Sequence, residues 1–246
     1  MLSILTDRKT IRKYTAEDVS ANLLNELLNA ACRASTTGNM QVYSIIETRD
    51  REMKEKLAPC HFNQSMVREA PVLLTFCADF NRFNMWCRQR KAEPGYDNFL
   101  SFMTAAIDAI IVAQTLCVAA EAKGLGICYL GTTTYMAEKI IDILELPAGV
   151  VPLTTISLGW PAENPEQVDR LPLKAVLHRE KYCDYSEQEI DSYYADKEAR
   201  EDSRQFIEEN NKETLAQVFT DVRYKKEDNE TFSGFLLAVL KKHGFM

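Results

Sequence analysis

Residues 97–123 read DNFLSFMTAAIDAIIVAQTLCVAAEAK, and the reading of this stretch decides the fold. Phe99, Phe102, Ala106, Ile110, Ala113, Cys117 and Ala120 recur at helical spacing along one stripe. Met103, Ile107, Ile111, Val112 and Leu116 cover much of the remaining circumference. A helix apolar nearly all round must be buried nearly all round. At about 1.5 Å of rise per residue it runs roughly 40 Å, longer than one domain of this size usually encloses. A second copy of the chain packed against it is the economical solution, so the sequence predicts an obligate homodimer. Gly124 stands where a left-handed residue ends a helix. The apolar run 105–120, interrupted by Asp108 and Gln114, reads as too short and too polar for a membrane span.

Working outward, residues 125–130 read as a strand, 135–144 as a helix stopped by Pro147, and 153–158 as a second strand. Gly159-Trp160-Pro161 then opens a proline-bearing loop up to Pro172. Upstream, Pro71 precedes Val72 to Cys77, apolar on both faces and therefore a central strand. Residues 42–48 form another strand, and 50–57 and 62–69 are helical. Thr15 offers a cap for a helix to about Arg33, with Leu23, Leu24, Leu27, Leu28 and Ala31 on its apolar face. The acidic region 186–212 reads as exposed helix plus a mobile connection. Phe232, Phe235, Leu236, Val239 and Leu240 make an amphipathic helix that should dock on the body. Helices and strands mix without strict βαβ alternation, which favours a layered α+β protein over a doubly wound parallel sheet.

The chain has 246 residues, 29 Lys+Arg against 36 Asp+Glu, and a formal net charge of −7. It therefore carries no basic surplus for a nucleic-acid backbone, and an anionic ligand must be held by a few placed cations. Seven cysteines without a CxxC pair imply a reducing compartment. The polar, basic amino terminus has no apolar signal core, so the expected location is the cytoplasm. His61, His178 and His243 are isolated, with neither HExxH nor Cys/His spacing, so no metal site is expected. GxSxG and Walker-A patterns are absent too. If the protein is an enzyme, a cofactor performs the chemistry.

Three constellations remain. Gly124-Leu125-Gly126-Ile127-Cys128-Tyr129-Leu130-Gly131 fails as a dinucleotide fingerprint, because Tyr129 stands where the third glycine is needed and a helix precedes the motif. Gly131, after the strand, would let the backbone approach a flat ligand. Arg8-Lys9-Thr10-Ile11-Arg12-Lys13 packs four cations into six residues. It is either a solvated basic terminus or, with Arg8, Thr10 and Arg12 on one face of an extended segment, an anion clamp. Ser35-Thr36-Thr37-Gly38-Asn39-Met40-Gln41 is a helix-to-strand loop that can also donate neutral hydrogen bonds.

In order and spacing, Arg8–Arg12, Ser35–Gln41, Gly124–Gly126 and Leu158–Pro161 resemble the FMN-dependent nitroreductase family over essentially the whole chain. Cys77-Ala78-Asp79-Phe80-Asn81-Arg82 and Trp160-Pro161-Ala162-Glu163-Asn164-Pro165 look most like its NADPH nitroreductase / flavin reductase subgroup. The resemblance implies a three-layer α/β/α sandwich of α+β class, with a mixed, largely antiparallel sheet flanked by helices. It implies a core over 1–185 and a C-terminal helical extension over 186–246.

By the same resemblance, FMN would sit at a dimer interface. Arg8, Lys9, Thr10 and Arg12 match the basic amino-terminal motif of the cofactor site, in which Arg8 and Thr10 would meet the phosphate and Arg12 the pyrimidine end of the ring. Thr36, Thr37 and Asn39 match the Ser-Ser-x-Asn loop, and Gln64 matches a glutamine that hydrogen-bonds the flavin. Tyr129, Leu130, Gly131 and Thr132 match the strand end beside flavin N5, and Arg170 matches a phosphate arginine. The chain departs from the pattern at Val168, where the family usually carries Lys. Arg200 or Arg204 stands in the region where the subgroup meets the 2′-phosphate of NADPH. The implied activity is transfer of electrons from NADPH or NADH to nitroaromatics, quinones or free flavin by a ping-pong hydride mechanism, with Arg12 and Gly131 as the catalytic positions. A flavin-binding storage or regulatory protein with little turnover is the alternative.

Overall fold

The computed structural model describes residues 2–246. The chain separates into two compact units, one of residues 1–166 with 232–246 and one of 167–231. The boundary expected at 185/186 falls inside the second unit.

The first unit is built on a four-stranded, wholly antiparallel sheet in the order β1-β2-β4-β3. Its strands are β1 (Tyr43–Thr48), β2 (Val72–Asp79), β3 (Gly126–Leu130) and β4 (Val150–Gly159). β2 is central and buried at every position, as an apolar run without alternation requires. On one face, Val72, Leu74 and Phe76 pack with Ile127, Ile156 and Leu158 against α2 (Ala21–Ala31) and α6 (Phe99–Ala122). On the other, Leu73, Cys128 and Leu130 meet α3 (Arg51–Leu57), α4 (Met66–Glu69) and α7 (Ala137–Leu144). Three layers result, of α+β class.

β4 begins three residues earlier than its sequence pattern suggests and carries Pro152 inside it. A bulge explains this, because Phe76 pairs with Thr154 and Cys77 with Pro152, leaving Leu153 unpaired. The first long helix starts later than expected. Ser20, not Thr15, is its cap, accepting from the Leu23 N–H at 3.2 Å, because Thr15 is drawn away to donate its N–H to the Trp160 carbonyl at 2.9 Å.

α6 is capped by Asn98 and ends at Gly124, whose φ is +83°. It packs on all four strands with Phe102, Ala105, Ala109, Val112, Leu116 and Ala120 buried. Leu100, Met103, Ile107, Ile110 and Ile111 are exposed, so one protomer covers only one side of the helix. α6 has 24 residues, longer than the run 105–120, with a mean hydropathy of 1.9 over its most apolar stretch, and by length and composition alone it could cross a bilayer, a test that a buried core helix also passes. That corrects the expectation on length; the added residues are 99–104 and 121–122.

Helix α11 (Lys226–Lys242) begins in the second unit. Its last turns return to the first unit, where Leu236, Val239 and Leu240 join Phe102, Ala137, Ile141 and Phe245 in a core cluster. Short helices α1 (Leu2–Thr6) and α5 (Asn81–Gln89) complete that unit. Within the second unit, α8 (Glu187–Ala199) opens on a Ser186/Glu189 capping box, and only Arg200 separates it from α9 (Glu201–Glu209). α10 (Leu215–Val218) follows, with Lys197 paired to Asp169 at 2.9 Å and Arg223 over the Phe206 ring at 4.2 Å. All seven cysteines are free.

Candidate active site

The amino-terminal strap, residues 8–14, is fixed along β3 and the end of β4. The Ile11 N–H donates to the Ile127 carbonyl at 3.0 Å, and the Tyr14 hydroxyl reaches Ser157 Oγ at 2.8 Å. Burial raises the Tyr14 phenol well above its ordinary value. Gly126 is required by this contact, since a Cβ there would lie 2.6 Å from Ile11 Cβ.

The Trp-Pro loop completes the anchorage. Glu163 accepts the backbone N–H groups of Arg12 (2.6 Å) and Lys13 (3.1 Å), and Lys9 Nζ donates to Asn164 Oδ1 at 2.9 Å. Two motifs about 150 residues apart in sequence are thus one structure. Arg8 and Lys9 line a surface cavity of about 410 Å³ with Ile11, Gly126 and Asn164. Arg8 also pairs with Glu121 at the end of α6 (3.2 Å), a carboxyl raised by burial, with Arg8 pulling the other way. Arg12 keeps an exposed side chain, and Thr10 is half-buried.

The Thr36–Asn39 loop is held from beneath. Asp108, almost fully buried in α6, accepts the Thr36 hydroxyl at 2.5 Å, the Thr37 N–H at 2.9 Å and the Thr37 hydroxyl at 3.2 Å. Thr36 Oγ1 in turn accepts the Gln41 N–H at 2.9 Å. These two hydroxyls are engaged inside the protein, and the exposed Asn39, at φ +54°, accepts from Gln41 Nε2 through its side-chain oxygen at 3.2 Å. The Cys77–Arg82 motif is structural, for Arg82 donates to the carbonyls of Gln41 and Tyr43.

At the far end of β3 the surroundings are open. A Cβ at Gly131 would meet nothing within 4 Å. Leu130 turns its side chain into the core, and the Tyr129 hydroxyl lies 3.3 Å from Gln114. Thr132 Oγ1 is 2.8 Å from Nδ1 of His61, which is fully buried. Burial pushes the His61 pKa down to about 4, so the ring is neutral at pH 7. Its Nε2 is buried without a hydrogen-bond partner. Gln64, three residues on, donates to the His61 carbonyl at 3.1 Å. Between them, Phe62 and Asn63 hold φ of +53° and +55°, a left-handed pair whose backbone costs on the order of 1–3 kcal/mol per residue.

Of the residues singled out from the sequence, Arg8, Lys9, Thr10 and Arg12 share the strap, and Tyr129 to Thr132 share the strand end with Gln64. Arg170 belongs to the second unit, where it lines a cavity of about 620 Å³ with Tyr194, Lys197 and Phe219. Asp108, Glu163, Asn164 and His61 organise the site; Asp108 and His61 carried no local motif, and Glu163 and Asn164 stood in the Trp160–Pro165 motif without an assigned role. The one available signal was a lone carboxylate in an apolar helix, since buried charges are hydrogen-bonded or paired.

A cationic strap along one strand, with a glycine-bearing strand end open to solvent, defines a site for a flat ligand with an anionic tail. FMN fits these residues: Arg8 and Lys9, held by Glu121 and Asn164, line a cavity that can take a phosphate, Gly131 faces open space, and the buried His61 Nε2 has no partner. The chain belongs to the nitroreductase family, whose model matches residues 5–160. It is 35% identical over 189 residues to the FMN reductase [NAD(P)H] of Bacillus subtilis, covering 76% of each chain. It is 33% identical over 192 residues to the oxygen-insensitive NADPH nitroreductase of Salmonella typhimurium, covering 78% of each. Among solved structures, a Bacteroides fragilis protein superposes with a TM-score of 0.98 at 57% identity over 99% of both chains. The NADPH:FMN oxidoreductase of Vibrio harveyi in complex with NAD+ superposes with a TM-score of 0.77 at 28% identity, covering 89% of this chain and 94% of the other.

Proposed function

We propose that this chain is an FMN-dependent oxidoreductase that passes electrons from NADPH or NADH to small flat acceptors, namely nitroaromatics, quinones or free flavin. The observation that carries the reading is the joining of the Arg8–Arg12 strap to the Trp-Pro loop beside β3, in a chain whose named relatives are NAD(P)H-dependent reductases. Bound FMN would supply hydride chemistry at its N5; the protein supplies position and electrostatics.

Arg8 and Thr10 hold the phosphate, and Lys9 stands between them in the same strap. Arg12 places a positive charge at the pyrimidine end, where preorganised charge favours reduction. Asn39 and Gln64 hydrogen-bond the heterocycle. Thr36 and Thr37 act through Asp108 by fixing the loop that carries Asn39. Gly131, flanked by Tyr129, Leu130 and Thr132, lets backbone lie beside the ring without a side chain in the way.

The active form is a homodimer in the cytoplasm. The support for the dimer is the exposed apolar side of α6, where Leu100, Met103, Ile107, Ile110 and Ile111 lie in water in a single protomer. Fully burying a side chain of this size contributes about 1.5–3 kcal/mol.

Donor and acceptor share one face, so steady-state double-reciprocal plots with varied NADPH and menadione are expected to be parallel. Intersecting lines would point to a ternary complex and overturn the shared-face reading.

A further inference from the structure

The turn that leaves β3, Gly131–Thr133, carries two threonines in succession and uses them differently. Thr133 is fully buried, and its hydroxyl lies 2.9 Å from the Leu130 carbonyl and 3.1 Å from Thr155 Oγ1, which ties the turn to the sheet. Thr132 is half-buried, and among the described residues its hydroxyl has one partner, Nδ1 of His61. The turn that carries His61, Ala58–His61, packs against Gly131–Thr133. After it, the left-handed Phe62 and Asn63 bring Gln64 to where its Nε2 donates to the His61 carbonyl. One residue therefore holds two candidate ligand contacts, Gln64 through its backbone and Thr132 through its ring.

The surroundings of the ring decide which nitrogen carries its proton. A neutral imidazole has one N–H donor and one bare acceptor nitrogen. Nε2 is buried without a partner. With the proton on Nε2, a donor would be buried with no acceptor, and orphaned N–H groups are rarer in folded proteins than under-satisfied acceptors. With the proton on Nδ1, only a lone pair is left unmatched, and the N–H donates to Thr132 Oγ1. The threonine must then turn its own proton away from the imidazole, beside the exposed Gly131.

Resting on the oxidoreductase reading, we propose that His61 is a positioning residue whose Nδ1–H tautomer makes the Thr132 hydroxyl a dedicated hydrogen-bond donor to the acceptor edge of the flavin ring. That edge, N5 and the neighbouring carbonyl oxygen, offers only lone pairs when the ring is oxidised. A hydroxyl free to rotate would present its own lone pairs there part of the time. The imidazole removes that choice before the ligand arrives, so the ordering is complete in advance. The unmatched nitrogen of a fully buried His61 is what the arrangement costs the fold.

The first readout is the ¹H–¹⁵N correlation spectrum of the histidine rings at pH 7, recorded on the full chain with and without FMN. The His61 signals are those missing from His61→Asn. The proton is expected on Nδ1 in both states, and a proton on Nε2 overturns the proposal. The second readout is the dissociation constant of FMN, measured by quenching of flavin fluorescence. Thr132→Val is expected to bind about fivefold more weakly, while Thr132→Ser stays within about twofold of the parent. His61→Asn keeps an amide donor at the Nδ1 position and should also bind as the parent does. His61→Leu should match Thr132→Val, and the double variant should be no weaker than either, because both act through one hydroxyl. Parent-like binding by Thr132→Val, or losses that add in the double variant, would defeat the proposal while leaving the oxidoreductase reading intact. Should His61→Leu fail to fold, the tautomer and the two Thr132 variants decide. A parent that binds no FMN at all sinks the oxidoreductase reading and this proposal together.

Discussion

The two ends of β3 are built in opposite ways. At Gly126 the chain is closed over, with Ile11 occupying the space of a missing side chain and Glu163 and Asn164 locking the strap above it. At Gly131 the space is empty and the residue is exposed. The same residue type thus serves rigidity at one end of a five-residue strand and access at the other. For a protein that keeps one cofactor and exchanges its substrates, this is the expected division: the charged tail needs a preorganised grip, and the reactive end needs room.

The largest effect should come from the anchored side. Asp108→Ala removes the acceptor of three hydrogen bonds from Thr36 and Thr37. It is expected to destabilise the protein by about 3–4 kcal/mol in denaturant melts and to weaken FMN retention with it. A loss below about 1 kcal/mol would show that the loop does not depend on this carboxylate.

At the open end, His61 has a folded-state pKa near 4 against an ordinary 6.5. The unfolded chain therefore binds the proton more readily between those values. Stability is full above pH 6.5 and declines as pH falls toward 4, by about 3 kcal/mol at about 1.4 kcal/mol per pH decade. His61→Gln should flatten that part of the Tm-against-pH curve. An unchanged slope would mean that the imidazole is not held neutral by the fold.

The glycines test the contrast itself. Gly126→Ala must displace Ile11 and should cost about 1–3 kcal/mol, whereas Gly131→Ala should alter stability by less than about 0.5 kcal/mol yet weaken FMN binding measured by equilibrium dialysis. Equal stability losses at the two positions would erase the distinction between a closed and an open end.

Much of this was legible in the sequence, for identifiable reasons. Periodicity placed α6, and the all-apolar run of β2 made it central, because both signals arise from burial of consecutive residues. The start of α2 was misread at Thr15 because the competing bond to Trp160 comes from residues far along the chain. β4 was cut short at Pro152 because a bulge depends on the pairing strand and leaves no local mark. The strap, the Thr36–Asn39 loop and the strand end are contiguous motifs and could be read as candidate ligand contacts. The roles of Asp108, His61, Glu163 and Asn164 could not, since each acts across 70 residues or more on a partner that only folding brings near.

The most direct test of the central claim is the visible spectrum of the purified protein followed through one anaerobic cycle. A yellow protein is expected, with flavin bands that bleach on addition of NADPH or NADH and return when menadione is added. A protein that stays colourless after incubation with FMN, or whose bands persist unchanged under both donors, would contradict the account.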